Sequence, residues 1–187
     1  MIAAIGSVLR RGRVAAALGL LAAFSPGAAQ AQLNVSKTSI RLGAFFSTDS
    51  NLKSQTSSVW NAVGLDALAG VKYHPLGGDI HIGFDAVWHG GGSSGGSSLS
   101  LSGKLLWPLS PKGTNSRLWA GAGFGGYMIN TPNTTNFLTV GAKFIVGADL
   151  TSHWFVEADY DWVSGFTDDL GVPMRADGVT LALGYRF

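Results

Sequence analysis

Asp177 to Phe187 reads DGVTLALGYRF. Val179, Leu181, Leu183, Tyr185 and Phe187 alternate with Thr180, Ala182, Gly184 and Arg186. Successive side chains of a strand point to opposite faces. One face is therefore apolar throughout and finishes on two aromatics, while the other is small or polar.

Seven earlier stretches alternate in the same way. Ile40, Leu42, Ala44 and Phe46 oppose Ser39, Arg41, Gly43 and Phe45. Val59, Val63, Leu65, Ala67, Ala69, Val71 and Tyr73 oppose Asp66, Gly70, Lys72 and His74. Ile80, Ile82, Phe84, Ala86 and Trp88 oppose His81, Gly83, Asp85 and His89; Leu99, Leu101, Leu105 and Trp107 oppose Ser100, Ser102 and Lys104. Leu118, Ala120, Ala122 and Phe124 oppose Trp119, Gly121, Gly123, Gly125 and Tyr127. Leu138, Val140, Ala142, Phe144, Val146, Ala148 and Leu150 oppose Thr139, Gly141, Lys143, Gly147 and Asp149. Trp154, Val156, Ala158, Tyr160 and Trp162 oppose Phe155, Glu157, Asp159 and Asp161. Most of the eight runs are near the about 9–11 residues that cross a bilayer at a tilt.

The connections alternate as well. Pro75–Asp79, Pro108–Ser116 and Thr151–His153 read as turns, while 47–58, 89–98, 128–136 and 164–176 are mostly longer and rich in Ser, Thr, Asn or Gly. Tyr73, Trp107, Trp154, Tyr185 and Phe187 gather toward one end of the strands, and Phe46, Trp88, Phe137 and Trp162 toward the other. Two aromatic girdles suit a barrel in a membrane. A soluble barrel would also alternate, but with its apolar face inside. Here the other face is mostly Gly and Ser with isolated charges, too sparse for a solvated surface and suited to a tight lumen. The expected fold is all-β: an eight-stranded antiparallel up-and-down transmembrane β-barrel over 32–187.

Residues 1–31 read as a cleaved signal peptide. Arg10, Arg11 and Arg13 precede an apolar stretch, Val14 to Phe24, and an A-x-A site at Ala29-Gln30-Ala31. Removing those three arginines from the 13 Lys and Arg leaves 10 against 11 Asp and Glu, so the basic pI carries no argument for nucleic acid. There is no cysteine, hence no disulfide and no thiolate chemistry. No run after the leader approaches the roughly 20 apolar residues of a membrane helix.

The final strand, with Tyr185 two residues before a terminal Phe187, resembles the C-terminal strand of bacterial outer-membrane β-barrels. The whole mature stretch is similar to the small eight-stranded barrels of the OmpA and OmpX type. That resemblance implies a Gram-negative outer membrane, contact with lipid and lipopolysaccharide, and recognition of Tyr185 and Phe187 by the barrel-assembly machinery. It also implies short periplasmic turns and longer external loops. No peptidoglycan-binding domain is expected after the barrel.

The polar faces carry Arg41, Lys72, Lys104, Lys143 and Arg186 against Asp66, Asp85, Glu157, Asp159 and Asp161. Charges inside a small barrel must pair to offset desolvation. They make either a salt-bridged plug or a narrow pathway for ions or small solutes. Glu157, Asp159 and Asp161 stack about 6–7 Å apart along one face, and could pair with neighbouring cations, bind a cation, pass protons or act as general acid and base. His81, Asp85 and His89 share a face, but four strand residues span roughly 13 Å, against ligand distances of about 2 Å, so no metal site is expected.

Gly121, Gly123 and Gly126 match G-x-G-x-x-G, but inside a strand with no helix to follow. Their expected role is space beside Trp119 and Tyr127. Asn34-Val35-Ser36 and Asn133-Thr134-Thr135 match the glycosylation pattern, which means little in a bacterial outer membrane. Lipid A modifying enzymes share this architecture. The His-x-Ser-Asn motif of the deacylases is absent, and His89 with Ser93 or Ser94 approximates it only loosely; nothing points to palmitoyl transfer. The expected protein is non-enzymatic, without cofactor, acting in envelope structure or through its loops, with a narrow pore and a lipid A enzyme as alternatives. Arginine at outward Leu181 or Val140 should block insertion, whereas serine at inward Gly184 should be far milder.

Overall fold

The computed structural model describes residues 34–73, 78–90, 94–110 and 117–187. The expected leader, 1–31, lies outside them, as do the middle of the turn at 74–77 and residues 91–93 and 111–116.

Eight long strands close a barrel: β1 (Asn34–Ser47), β2 (Val59–Tyr73), β3 (Gly78–His89), β4 (Gly96–Pro108), β5 (Leu118–Thr131), β6 (Thr134–Asp149), β7 (Trp154–Val163) and, after two short strands, β10 (Gly178–Arg186). Each pairs antiparallel with its neighbour in sequence, and β10 closes on β1 through pairs running from Ser39–Arg186 to Ser47–Gly178. The barrel has no free edge, so the ladder of backbone hydrogen bonds runs all the way round the wall.

The distribution of side chains is the reverse of a soluble protein. Leu42, Leu65, Phe84, Leu101, Phe144, Val156, Trp162 and Leu181 are exposed on the outside, while Arg41, Asp66, Lys104, Lys143, Glu157 and Asp159 are buried within. A contiguous apolar belt of this kind needs a non-aqueous surrounding. The alternation puts leucines out and charges in, and pairing in register aligns the faces of all eight strands.

Glycine on the inward face makes room for large neighbours. A Cβ at Gly64 would come within 2.6 Å of Arg41 Nη2 and Asp85 Oδ1, and one at Gly83 within 2.6 Å of Asp66 Oδ1. A Cβ at Gly147 would lie 2.1 Å from Trp119 Cζ2, and one at Gly184 2.1 Å from Phe155 Cζ, both far inside contact distance. Serine at Gly184 is therefore not the mild change that its small, inward setting suggested. Its niche is already filled.

Several boundaries differ from the sequence expectation. The lead-in Asn34–Lys37 belongs to β1. The stretch 128–136 is no loop: β5 and β6 run on as a hairpin and turn at Pro132 and Asn133. One extra residue of β6 sits opposite Asn130, and there Asn136 adopts a left-handed φ of 50°, its N–H donating to Asn130 Oδ1 at 2.7 Å. Phe137, expected in the outer girdle, pairs with Ile129 in register and stacks on Phe166 at 5.0 Å. Ala69, expected outward beside Ala67, is buried where the β2–β3 register shifts.

Candidate functional site

The inward faces form three layers. The middle layer is ionic. β1 supplies Arg41, β2 Asp66, β3 Asp85, β4 Lys104, β6 Lys143, and β7 the ladder Glu157, Asp159 and Asp161. Arg41 is the hub: it pairs with Asp66 and Asp159 at 3.2 Å each, and with Asp85 and Glu157. Lys104 Nζ lies 2.8 Å from Asp66 and 3.5 Å from Asp85. Lys143 Nζ lies 3.1 Å from Asp85, 3.2 Å from Asp161 and 3.5 Å from Asp159. Tyr127 donates its hydroxyl to Asp161 Oδ1 at 2.6 Å. A planar guanidinium with five donors can serve several carboxylates at once, which an ammonium cannot match in geometry.

Of the ten polar positions singled out from the sequence, the structure brings these eight together. Arg186 stands apart toward the chain ends: it pairs with Asp149 at 2.5 Å and lies over the Phe155 ring at 4.4 Å. Lys72 falls opposite Asp79 in register, and its side chain lies outside the described residues. His81 is opposite Lys104, Asp85 joins the ionic layer, and His89 ends β3. Ser93 lies outside the described residues.

Below the ionic layer, toward the chain ends, an apolar layer closes the lumen. Trp119 meets Phe155 edge-on at 5.9 Å, with Ile145 and Leu106 packed against them. Outside this end, Tyr185 stacks on His153 and meets Trp154 and Phe187 edge-on at 5.1 and 5.3 Å.

Above the ionic layer the loops fold into a cap. The polar stretch 47–58 contains helix α1 (Ser50–Gln55), whose N-cap Asp49 accepts from Leu52 N at 2.7 Å. In 164–176 the short strands β8 (Phe166–Thr167) and β9 (Pro173–Met174) pair as a hairpin. Leu52, Phe166, Met174 and Ala176 drop from these loops onto Trp60, Ile129, Val163, Phe45 and Tyr127 and are all buried. Between this roof and the ionic floor is a cavity of about 30 Å³, room for a water or two.

The cap is interlocked. Asn51 Nδ2 donates to Pro173 O at 2.8 Å, Gln55 Nε2 to Asp168 Oδ2 at 2.8 Å, and Asp169 N to Asn133 O at 3.0 Å. Asp168 also accepts from Leu170 N and Val172 N at 3.0 and 2.7 Å. Desolvation opposes its charge, but the bonds from Gln55, Val172 and Leu170 outweigh that and hold its carboxyl below the ordinary value. Asp177 goes the other way: desolvation raises it, against the bond from Val163 N and the pair with Arg175. A lowered value means that the Asp168 contribution is complete above the ordinary aspartate range, about pH 4, and is lost as pH falls through the lowered value. The protection of the Leu170 and Val172 amides, relative to their intrinsic exchange rates, is thus expected to hold down to about pH 4 and to fall only below it. In Asp168→Ala that protection should be lost throughout, with protection in the barrel wall unchanged.

Sequence reasoning missed this cap. Its signals were single apolar residues within polar loops, Leu52, Phe166 and Met174, and an aspartate three positions before Leu52.

No protein-family profile and no curated protein sequence matches the chain. Among solved structures it is similar to Neisserial surface protein A, at 10% identity over 80% of this chain and 94% of that one, with a TM-score of 0.55. It is also similar to the outer membrane enzyme PagL, at 16% identity over 81% of this chain and 98% of that one, with a TM-score of 0.50. At such identities the likeness is one of fold: the closed eight-stranded barrel of outer-membrane proteins.

Proposed function

We propose that the chain is a non-conducting, non-enzymatic barrel of the bacterial outer membrane, exported with residues 1–31 as a cleaved leader, that presents a folded cap to the outside. The single observation that carries this is the lumen's three-layer filling. Apolar layers lie on either side of an ion-paired centre, and the cavity between cap and centre is only about 30 Å³. With the chain ends and short turns on the periplasmic side, α1 and the β8–β9 hairpin face the exterior. Their interlocking through Asp168 gives the rigid surface that recognition of an outside partner, or packing among lipopolysaccharide, requires. Exposed Phe187, beside Tyr185, is available to the assembly machinery.

The Ser–His hydrogen bond between Ser152 and His153, at 2.8 Å, lies in an exposed turn between adjacent residues. Among the described residues no carboxylate lies against that histidine to orient it as the third member that nucleophilic catalysis uses. The test is electrical. The refolded chain in a planar bilayer, with heat-shifted gel mobility confirming the barrel, is expected to show no discrete conductance. Steps that change in Glu157→Gln would replace this reading with the pore. A mass change in lipid A on incubation with the folded protein would replace it with an enzyme.

A further inference from the structure

The ionic layer does not balance. Around Arg41, Lys104 and Lys143 stand five carboxylates, Asp66, Asp85, Glu157, Asp159 and Asp161, every one of them at least 86% buried by its side-chain exposure. Fully ionised, the layer carries two uncompensated negative charges inside an apolar wall, and charge in that setting is neutralised rather than tolerated.

The other groups facing the layer do not supply the difference. From β3, His81 has Nδ1 buried without a partner. An imidazolium carries N–H on both ring nitrogens and would leave the one at Nδ1 buried without an acceptor, a costly arrangement. From β4, Ser100 and Ser102 are neutral; from β5, Tyr127 already donates to Asp161. From β10, Thr180, Ala182 and Gly184 bring no charge, and Arg186 is engaged with Asp149. Lys72 lies six residues beyond Asp66 along β2, a rise of about 20 Å. Among the described residues no three His, Asp or Glu side chains are placed to hold a metal ion.

Two further observations point to a small ligand at the layer. Asp159 is 3% exposed and its Oδ1 has no hydrogen-bond partner; Ser102, 1% exposed, leaves its hydroxyl unpartnered. The polar lining of the cavity above the layer includes Asp85, Asp159, Asp161, Ser100 and Tyr127 together with Arg41 and Lys143, and the cavity holds no more than a water or two.

We infer that the folded barrel binds two protons in this network, shared among the five carboxylates and a water in the cavity beneath the cap. The layer is then a proton-binding site, and the folded state takes up protons that the unfolded chain releases at neutral pH. The inference rests on the lumen being closed; conductance tests that closure, and the experiment here tests the protons separately.

Infrared spectroscopy of the folded barrel in detergent, near neutral pH, reads the carbonyl stretch of neutral carboxyl groups. The wild type is expected to show that band. Asp161→Asn should lower it by about half, since one charge fewer needs one proton fewer. Glu157→Gln with Asp161→Asn, which leaves three acids for three cations, should abolish it. The unfolding constant of the wild type should also rise with pH about a hundred-fold per unit more steeply than that of the double variant, as two bound protons require. A wild-type barrel without the band overturns the inference even if neither variant folds, and so does a band unchanged in Asp161→Asn.

Discussion

Replacing Arg41 by methionine is expected to be the most damaging single change in the chain. It deletes the partner of four carboxylates, Asp66, Asp85, Glu157 and Asp159. Lys104 and Lys143 would then face all five acids. Removing one member of a buried ion pair typically costs about 3–5 kcal/mol, because the partner is left charged and desolvated. Several partners are stranded here, so the loss should reach at least the top of that range. That is comparable to the whole stability of a domain this size, about 5–15 kcal/mol. Urea titration of the refolded barrel, followed by heat-shifted mobility, reads the effect. Arg41→Lys should recover only part of it, because an ammonium cannot address four carboxylates with one planar fork. Adding Asp85→Asn and Glu157→Gln to Arg41→Met should restore folding if the cost is stranded charge. If the triple variant is as unstable as the single one, the damage is lost packing instead.

The wall was legible in the sequence because a period of two is a strong signal when one face meets lipid and the other a crowded lumen. DGVTLALGYRF contains both faces in eleven residues. Membership of the polar layer was legible for the same reason: Arg41, Asp66 and Asp159 could point only one way. Depth was not. Arg186 shares an inward face with the others, but lies far down β10, beside Asp149 and Phe155. Alternation fixes a side chain's face and says nothing of its height in the barrel, which depends on register and strand stagger.

The cap was illegible for a different reason. Its elements are too short for any periodicity: α1 has six residues and β8 and β9 two each. Their order comes from tertiary contacts such as Gln55 with Asp168, over a separation of 113 residues. The hairpin at Pro132 and Asn133 was hidden behind a bulge that breaks the alternation at Asn136. Polar composition marked these stretches as loops, yet Leu52, fully buried, shows that a loop's one leucine can be its anchor.

Leu181→Arg should abolish insertion while leaving the inward face untouched. Leu181 is 51% exposed on the outer wall and pairs in register with Ala44 and Ala158, near the middle of the belt. An arginine on the lipid face of a barrel costs about 2–4 kcal/mol at the midplane and falls toward zero near the interfaces. Its alanine neighbours offer no charge to pair with, and the guanidinium is too deep to reach water without distortion. Moving the same substitution to Phe187, 68% exposed at the chain end, should cost little stability, since the side chain there reaches the headgroups. Gly184→Ser is the informative comparison. It adds no charge, yet its Cβ would lie 2.1 Å from Cζ of Phe155, a ring itself held by Trp119 and Ile145. Overpacking a filled interior costs about 1–3 kcal/mol, so serine should sit between wild type and Leu181→Arg in denaturant resistance. Only the arginine should be corrected by thinner bilayers, which bring the interface toward residue 181. If Gly184→Ser also recovers there, the two faces of β10 have been assigned the wrong way round.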